Sequence, residues 1–187
     1  DPSWMPYFEC RWNIWGSLQN MAENGVDFAH FKYIHGTAEL PTAEMQWGEW
    51  DRSAVVRAKM GTPKGMVDGA ITSTSQGPGQ AWVRFTGICE TLLVACIIPV
   101  EQDELQVVYC YTQPREQTEG PMAGLARAII KDVNKQLDQD KVVWDRMRYE
   151  PNPIICDGDG PIPHFRKFYA RFYAAGDGVP GSLKAAG

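Results

Sequence analysis

The sequence predicts a mixed α+β domain, an antiparallel meander of strands followed by one long helix, on three observations. Between residues 43 and 112, runs rich in β-branched and aromatic side chains alternate with short polar or glycine-containing links. After Pro121 the apolar spacing changes to the three- and four-residue steps of a helix. Ahead of both lies a helix-compatible stretch broken in its middle by Asn24-Gly25. At 187 residues, 44% hydrophobic and 22% charged, the chain has material for a single sizeable core, so residues 1–187 are expected to form one domain.

Taken in order, the first element is helical over 17–35, irregular at Asn24-Gly25, and Gly36 supplies the stop. Strand signals follow at 54–58, 69–74, 81–89, 91–100 and 105–112. The polar link 100–104 predicts a hairpin between the last two runs, and Gly77-Pro78-Gly79 marks another turn. Pro121, at a tolerated first-turn position, opens a helix to about Met147. Leu125, Ile129, Val133, Leu137, Trp144 and Met147 form its apolar stripe. The position the stripe skips between Leu137 and Trp144 is Asp140, whereas Asp132, Asp138 and Asp145 project elsewhere. A carboxylate facing the core is unfavourable unless it is paired, metal-bound or neutral.

Composition excludes several classes. A net charge of −5 with no concentration of Lys and Arg argues against a nucleic-acid partner. The longest apolar run, 92–100, is far short of the ~20 residues that span a bilayer. Asp1-Pro2-Ser3-Trp4 has neither the basic nor the apolar part of a secretory signal, so a cytoplasmic location is expected. Five cysteines (Cys10, Cys89, Cys96, Cys110 and Cys156) without a Cys-x-x-Cys pair predict buried thiols, not disulfides or a zinc ribbon.

Only three histidines are present, and two, His30 and His35, lie close together. At ~100° per residue, positions five apart diverge by about 140° on a regular helix, so the two imidazoles converge only if the helix bulges or ends between them. Gly36 makes an ending plausible. Two imidazoles and one carboxylate form the facial triad that leaves other coordination positions open, as in non-heme Fe(II) oxygenases. The plainer alternatives are histidines at a helix end and a salt-bridged core aspartate.

Asn24-x-x-Asp27-x-x-His30-x(4)-His35-Gly36 resembles the iron-binding motif of the catalytic domain of Rieske non-heme iron oxygenases. Gln139-Asp140-Lys-Val-Val-Trp144 is similar to the family's third-ligand segment. Gly160-Pro161, with Phe165-Arg166-Lys167-Phe168-Tyr169-x-x-Phe172-Tyr173, resembles the C-terminal end of the 3-ketosteroid 9α-hydroxylase oxygenase and sterol 7-desaturase branches. The resemblance runs over about residues 11–174. It implies a helix-grip, START-like fold: a curved antiparallel sheet around a ligand cavity with the long C-terminal helix across it.

The resemblance also implies roles. His30, His35 and Asp140 would hold Fe(II), Asp27 would bridge to a Rieske histidine across a subunit boundary and relay electrons, and Asn24 would line the iron site. O2 would be the co-substrate, an NAD(P)H-dependent reductase and a [2Fe–2S] Rieske cluster the electron source, and an apolar, steroid-like molecule the substrate of a monooxygenase reaction. Homotrimers are usual in such enzymes. One departure matters: no cysteine here has a histidine two or three positions later, so the pairs that ligate a Rieske cluster are missing from this chain. The cluster is expected elsewhere, and autonomous turnover is not. The second function considered is a START-like module that binds a steroid or lipid without chemistry.

Two further features receive structural readings. Asp157-Gly-Asp159-Gly has the look of a calcium loop but lacks the later ligands, so a turn is expected. The aromatic run 165–173 predicts a terminal helix packed on the domain, with Arg166, Lys167 and Arg171 on its opposite face and His164 either exposed or at the helix N-terminus.

Overall fold

A computed structural model describes residues 1–37, 39–62, 65–156 and 158–174. In chain order the elements are β1 (Phe8–Trp15), α1 (Leu18–Glu23), α2 (Ala29–Tyr33), β2 (Thr42–Trp47), β3 (Asp51–Thr62), β4 (Gly65–Gln76), β5 (Gln80–Thr86), β6 (Thr91–Glu101), β7 (Glu104–Thr112), α3 (Arg115–Thr118), α4 (Ala123–Trp144) and α5 (Ile162–Tyr169), the last extended by a 3₁₀ turn over Ala170–Phe172. All seven strands join one antiparallel sheet in the order β1-β7-β6-β5-β4-β3-β2, a meander closed at one edge by the N-terminal strand. The expected α+β architecture is therefore present, as are the hairpin, where Glu101 faces Glu104, and the turn at Gly77, which has φ +62°. Pro99 is tolerated in β6 because it lies beyond the last β5 pair and beside a bulge.

Two strands escaped the sequence reading, and both are edges. β1 and β2 have only one neighbour each and alternate exposed with partly covered residues, Ile14 of β1 alone being buried, so neither carries a strong apolar signal. The first helical stretch is in fact two short helices, parted at 24–28 where irregularity was expected, and Gly36 has φ +73° after the second.

The long helix α4 lies against one flank of the sheet. Leu137 and Trp144 pack with Ile14 of β1, Met21 of α1, and Leu105 and Val107 of β7, while Ile130 packs with Leu93, Ala95 and Tyr111. Its buried residues are Ala126, Ile130, Leu137, Asp140 and Trp144. This corrects the first half of the expected stripe by one position: Leu125 and Ile129 are only half-buried, and Met147 is exposed beyond the helix. Ala126 is fully buried there, and its carbonyl accepts from Gln113 Nε2 at 2.8 Å.

The other flank is covered by α5, whose Ile162, Phe165 and Tyr169 pack with Val26 and, on β2, with Met45 and Trp47. Arg166 departs from expectation. It is buried, and its guanidinium forks onto Glu23 of α1 with both N–O distances at 2.8 Å. His164 is exposed and stacks on Trp47. The cysteines are free, but only Cys89 is buried; Cys156 is exposed, against the expectation of buried thiols. Asp157 lies outside the described residues, and Asp159 accepts from the Cys156 amide within a turn. Among the described residues, no helix is long and apolar enough to cross a membrane.

Candidate metal centre

The break between α1 and α2 determines how the imidazoles converge. Asp27 Oδ1 accepts the Ala29 amide at 3.0 Å just ahead of a five-residue helix, N-capped at Phe28, that carries His30 and ends before His35. With His35 beyond the helix end, the ~140° divergence no longer applies. The ring centroids of His30 and His35 are 5.0 Å apart and nearly perpendicular. Asp140 reaches them from α4, at 7% exposure. Ligand atoms of His30, His35 and Asp140 all lie within 4.8 Å of one another, and His35 Nε2 is 3.4 Å from Asp140 Oδ1.

Hydrogen bonds at the far side of each ring fix which nitrogen faces inward. His30 Nδ1 donates to the backbone carbonyl of Asp27, and His35 Nδ1 donates to Gln139 Oε1 at 3.1 Å. In the neutral form of each ring the lone pair is thereby left on Nε2, on the side of Asp140, the tautomer that metal ligation needs. Burial lowers the pKa of His30, only partly opposed by the Asp27 carbonyl, and keeps it neutral. For His35 burial acts in the same direction but is outweighed by the Asp140 carboxylate with help from Gln139, so its pKa is raised. Two imidazoles and a carboxylate on one side of a point suit a divalent first-row metal such as Fe(II), with the opposite side open. The donor set therefore fits the metal.

The structure places the remaining predicted residues around this triad. Asn24 Nδ2 sits 3.4 Å from both His30 Nε2 and Asp140 Oδ2. Asp27 lines a pocket of about 210 Å³ that it shares with Asn24, His30, Tyr33, Asp140 and Asp159. Asp27 orients His30 through its backbone carbonyl, while its carboxylate accepts the Ala29 amide.

Behind the triad is a second cavity of about 200 Å³. Its walls are residues of five strands, among them Arg52 of β3, Ser73 and Ser75 of β4, Val83 of β5, Leu93 and Ala95 of β6 and Tyr109 of β7, and Asp140 opens onto it. The strand wall combines these apolar side chains with the hydroxyls of Ser73 and Ser75 and the guanidinium of Arg52. Sequence reasoning missed three residues here: Gln139, Tyr109 and Arg52. The signal for Arg52 is its alternation with Ala54 and Val56, which share its inward face.

Residues 2–173 match the family described as the 3-ketosteroid 9alpha-hydroxylase C-terminal domain. The chain belongs to this family. Among curated relatives it is 27% identical, over 87% of its own length, to a 3-ketosteroid-9-alpha-monooxygenase oxygenase component of Rhodococcus rhodochrous, of which it covers 47%. A protein of the same name from Mycobacterium tuberculosis is also 27% identical, with the same coverages. A cholesterol 7-desaturase of Xenopus laevis is 20% identical over 84% of the chain and 40% of the relative. The chain thus spans about half the length of the curated relatives it matches. Among solved structures, dicamba monooxygenase bound to dicamba superposes with a TM-score of 0.70 at 12% identity, covering 91% of this chain and 59% of that one. NdmA of Pseudomonas putida CBB5 with caffeine gives 0.69 at 18%, covering 89% and 51%. These likenesses establish the fold, in agreement with the helix-grip expectation.

Proposed function

We propose that this chain is the catalytic domain of an iron-dependent monooxygenase that hydroxylates an apolar, steroid-like molecule, with electrons delivered from a Rieske [2Fe–2S] cluster held elsewhere and, behind it, an NAD(P)H-dependent reductase. The observation that carries the reading is the convergence of His30, His35 and Asp140 beside the cavity. Fe(II), held by these three side chains, would supply the electron-transfer chemistry that activates O2.

The protein's own residues do the rest. The Asp27 carbonyl and Gln139 hold the imidazoles in the ligating tautomer. Asn24 positions the carboxylate of Asp140 through its amide. Leu93, Ala95 and Val83 give the substrate an apolar wall and exclude water from the reacting bond. Asp27, half-buried in the pocket lining, is the carboxylate that would take up the contact with the electron donor. A binding module without chemistry is the poorer reading, because it gives no use to two imidazoles and a buried carboxylate turned toward one point.

Iron analysis after anaerobic Fe(II) loading tests the proposal. One iron per chain is expected, lost in His30→Ala, His35→Ala and Asp140→Ala and kept in Asp138→Ala, whose carboxylate instead accepts from Trp12 Nε1 at 2.9 Å. Asp27→Asn should retain iron yet lose nearly all product formation once a Rieske donor is supplied. Full iron in the Asp140 variant would sink the metal assignment, and a metal-free wild type that binds steroids would favour the binding module.

A further inference from the structure

Two arginines are buried in this domain, and they are partnered differently. Arg166 forks onto Glu23, which raises its pKa. Arg52, at 7% exposure, is bound by no carboxylate among the described residues. Its Nη1 donates to the Gly25 carbonyl and its Nη2 to the Ala22 carbonyl, both at 3.1 Å, and the guanidinium lies over the Phe165 ring at 5.2 Å. The absence of a side chain at Gly25 makes the approach possible, since a Cβ there would run into Nη2. These contacts fix the group's position but leave its other N–H donors without a partner among the described residues. Burial alone lowers its pKa to about 10, so the group is still charged at neutral pH.

A buried guanidinium without an anion is costly, and of the two arginines the unpaired one lines the cavity that Asp140 also enters. Ser75, opposite Arg52 in the β3–β4 register, and Ser73 add hydroxyl donors on the same wall. The geometry points to Arg52 as the recognition site for a carboxylate carried by the substrate, a steroid-like acid whose apolar body lies along Val83, Leu93 and Ala95. The placement of the reacting bond near Asp140 rests on the oxygenase reading above; the binding of the acid does not.

The test compares lithocholic acid with its methyl ester, which has the same ring system without the charge, by calorimetric titration of the whole chain whose iron content is measured in the same sample. The acid should bind about 10-fold tighter or more, the gain expected of a hydrogen bond to a charged group. Arg52→Gln should abolish that preference while leaving ester affinity within about twofold. Equal binding of acid and ester by the wild type, binding of neither, or a preference that survives Arg52→Gln would overturn the inference. If Arg52→Gln fails to fold because Ala22 and Gly25 lose their donor, the wild-type comparison still decides, and Arg52→Lys, which keeps a cation but not the fork, should show a reduced preference. Equal binding in a fully iron-loaded sample removes Arg52's role and leaves the oxygenase reading intact. An acid preference in a chain that takes up no iron does the reverse.

Discussion

On the flank of the sheet formed by β1, β7 and β6, the cover is α4, and the contact is an apolar seam of Ile14, Leu105, Val107, Leu137 and Trp144 with a single carboxylate, Asp140, let into it. On the flank formed by β2, β3 and β4, the cover is α5, and behind its aromatic residues the sheet presents Arg52, Ser73 and Ser75. The first flank spends its surface on packing and brings one functional group to the metal centre. The second gives up apolar contact for hydrogen-bonding groups that face a cavity. Stability is therefore expected to depend mainly on the α4 flank and ligand discrimination on the β2–β4 flank.

The largest effect is expected at Trp144, which is 5% exposed and joins α4 to β1, β7 and α1. Trp144→Ala should cost about 3–5 kcal/mol in urea unfolding, from lost transfer energy and the space left behind. A loss under about 2 kcal/mol would mean that the seam collapses to refill the gap, and that α4 is not the main clasp.

Next is Arg166, the ionic counterpart on the other flank. Its fork joins α5 to Glu23, directly before Asn24, and its Nη1 also donates to the Glu150 carbonyl at 2.6 Å. Removing one member of a largely buried pair leaves the other uncompensated, so Arg166→Ala should cost about 3 kcal/mol. Because the tie ends beside the metal-binding segment, Fe(II) affinity should fall as well, in a calorimetric titration, although no ligand is touched. Unchanged affinity would separate α5 from the metal centre.

A smaller effect, at the triad itself, is its response to pH. The raised pKa of His35 means that the metal-free chain tends to hold a proton on the Nε2 that must ligate, whereas His30, lowered by burial, does not. Protons therefore compete with metal, and Fe(II) binding should weaken as pH falls through the His35 value, beginning above its ordinary ~6.5. In the metal-free chain the signs differ between the two groups. The His35–Asp140 contact contributes stability fully below ~6.5 and loses it as pH rises through the raised value; the neutral burial of His30 contributes above ~6.5 and is lost as pH falls through the lowered one. Fe(II) titrations at about pH 6 and about pH 8 check this. Equal affinities would show that His35 carries no extra proton affinity.

Legibility in the sequence follows the same division. Central strands, the long helix and the inward phase of Asp140 were readable because buried apolar periodicity reports on a residue's immediate environment. The edge strands β1 and β2 were not, since a strand with one neighbour buries too little to show it. His30, His35 and Asp140 could be grouped from motif spacing, but their orientation depends on contacts invisible to spacing: the Asp27 carbonyl and the Gln139 amide. Arg52 escaped because the apolar strand run was read from Ala54, and a charged residue two positions earlier looked like the end of the strand when it was its first inward-facing position.

The smallest effect is expected at Tyr109, where the two flanks meet. It projects from β7 into the cavity, packs edge-on against Trp12 with ring centroids 5.3 Å apart, and its hydroxyl has no hydrogen-bond partner among the described residues. Burial raises its pKa, with the charge of Asp140 adding, so the group remains a neutral donor at any working pH. Tyr109→Phe removes a hydroxyl without orphaning a partner and keeps the ring contacts, so stability should change by less than about 1 kcal/mol and iron content not at all. A larger loss in urea unfolding would mean that the hydroxyl is satisfied in solution, by water or by Asp140. If the change instead appears only when a steroid is bound, as weaker affinity at unchanged stability, then Tyr109 belongs with Arg52 among the groups that choose the ligand, and the boundary between the packing flank and the recognition flank moves from β6 to β7.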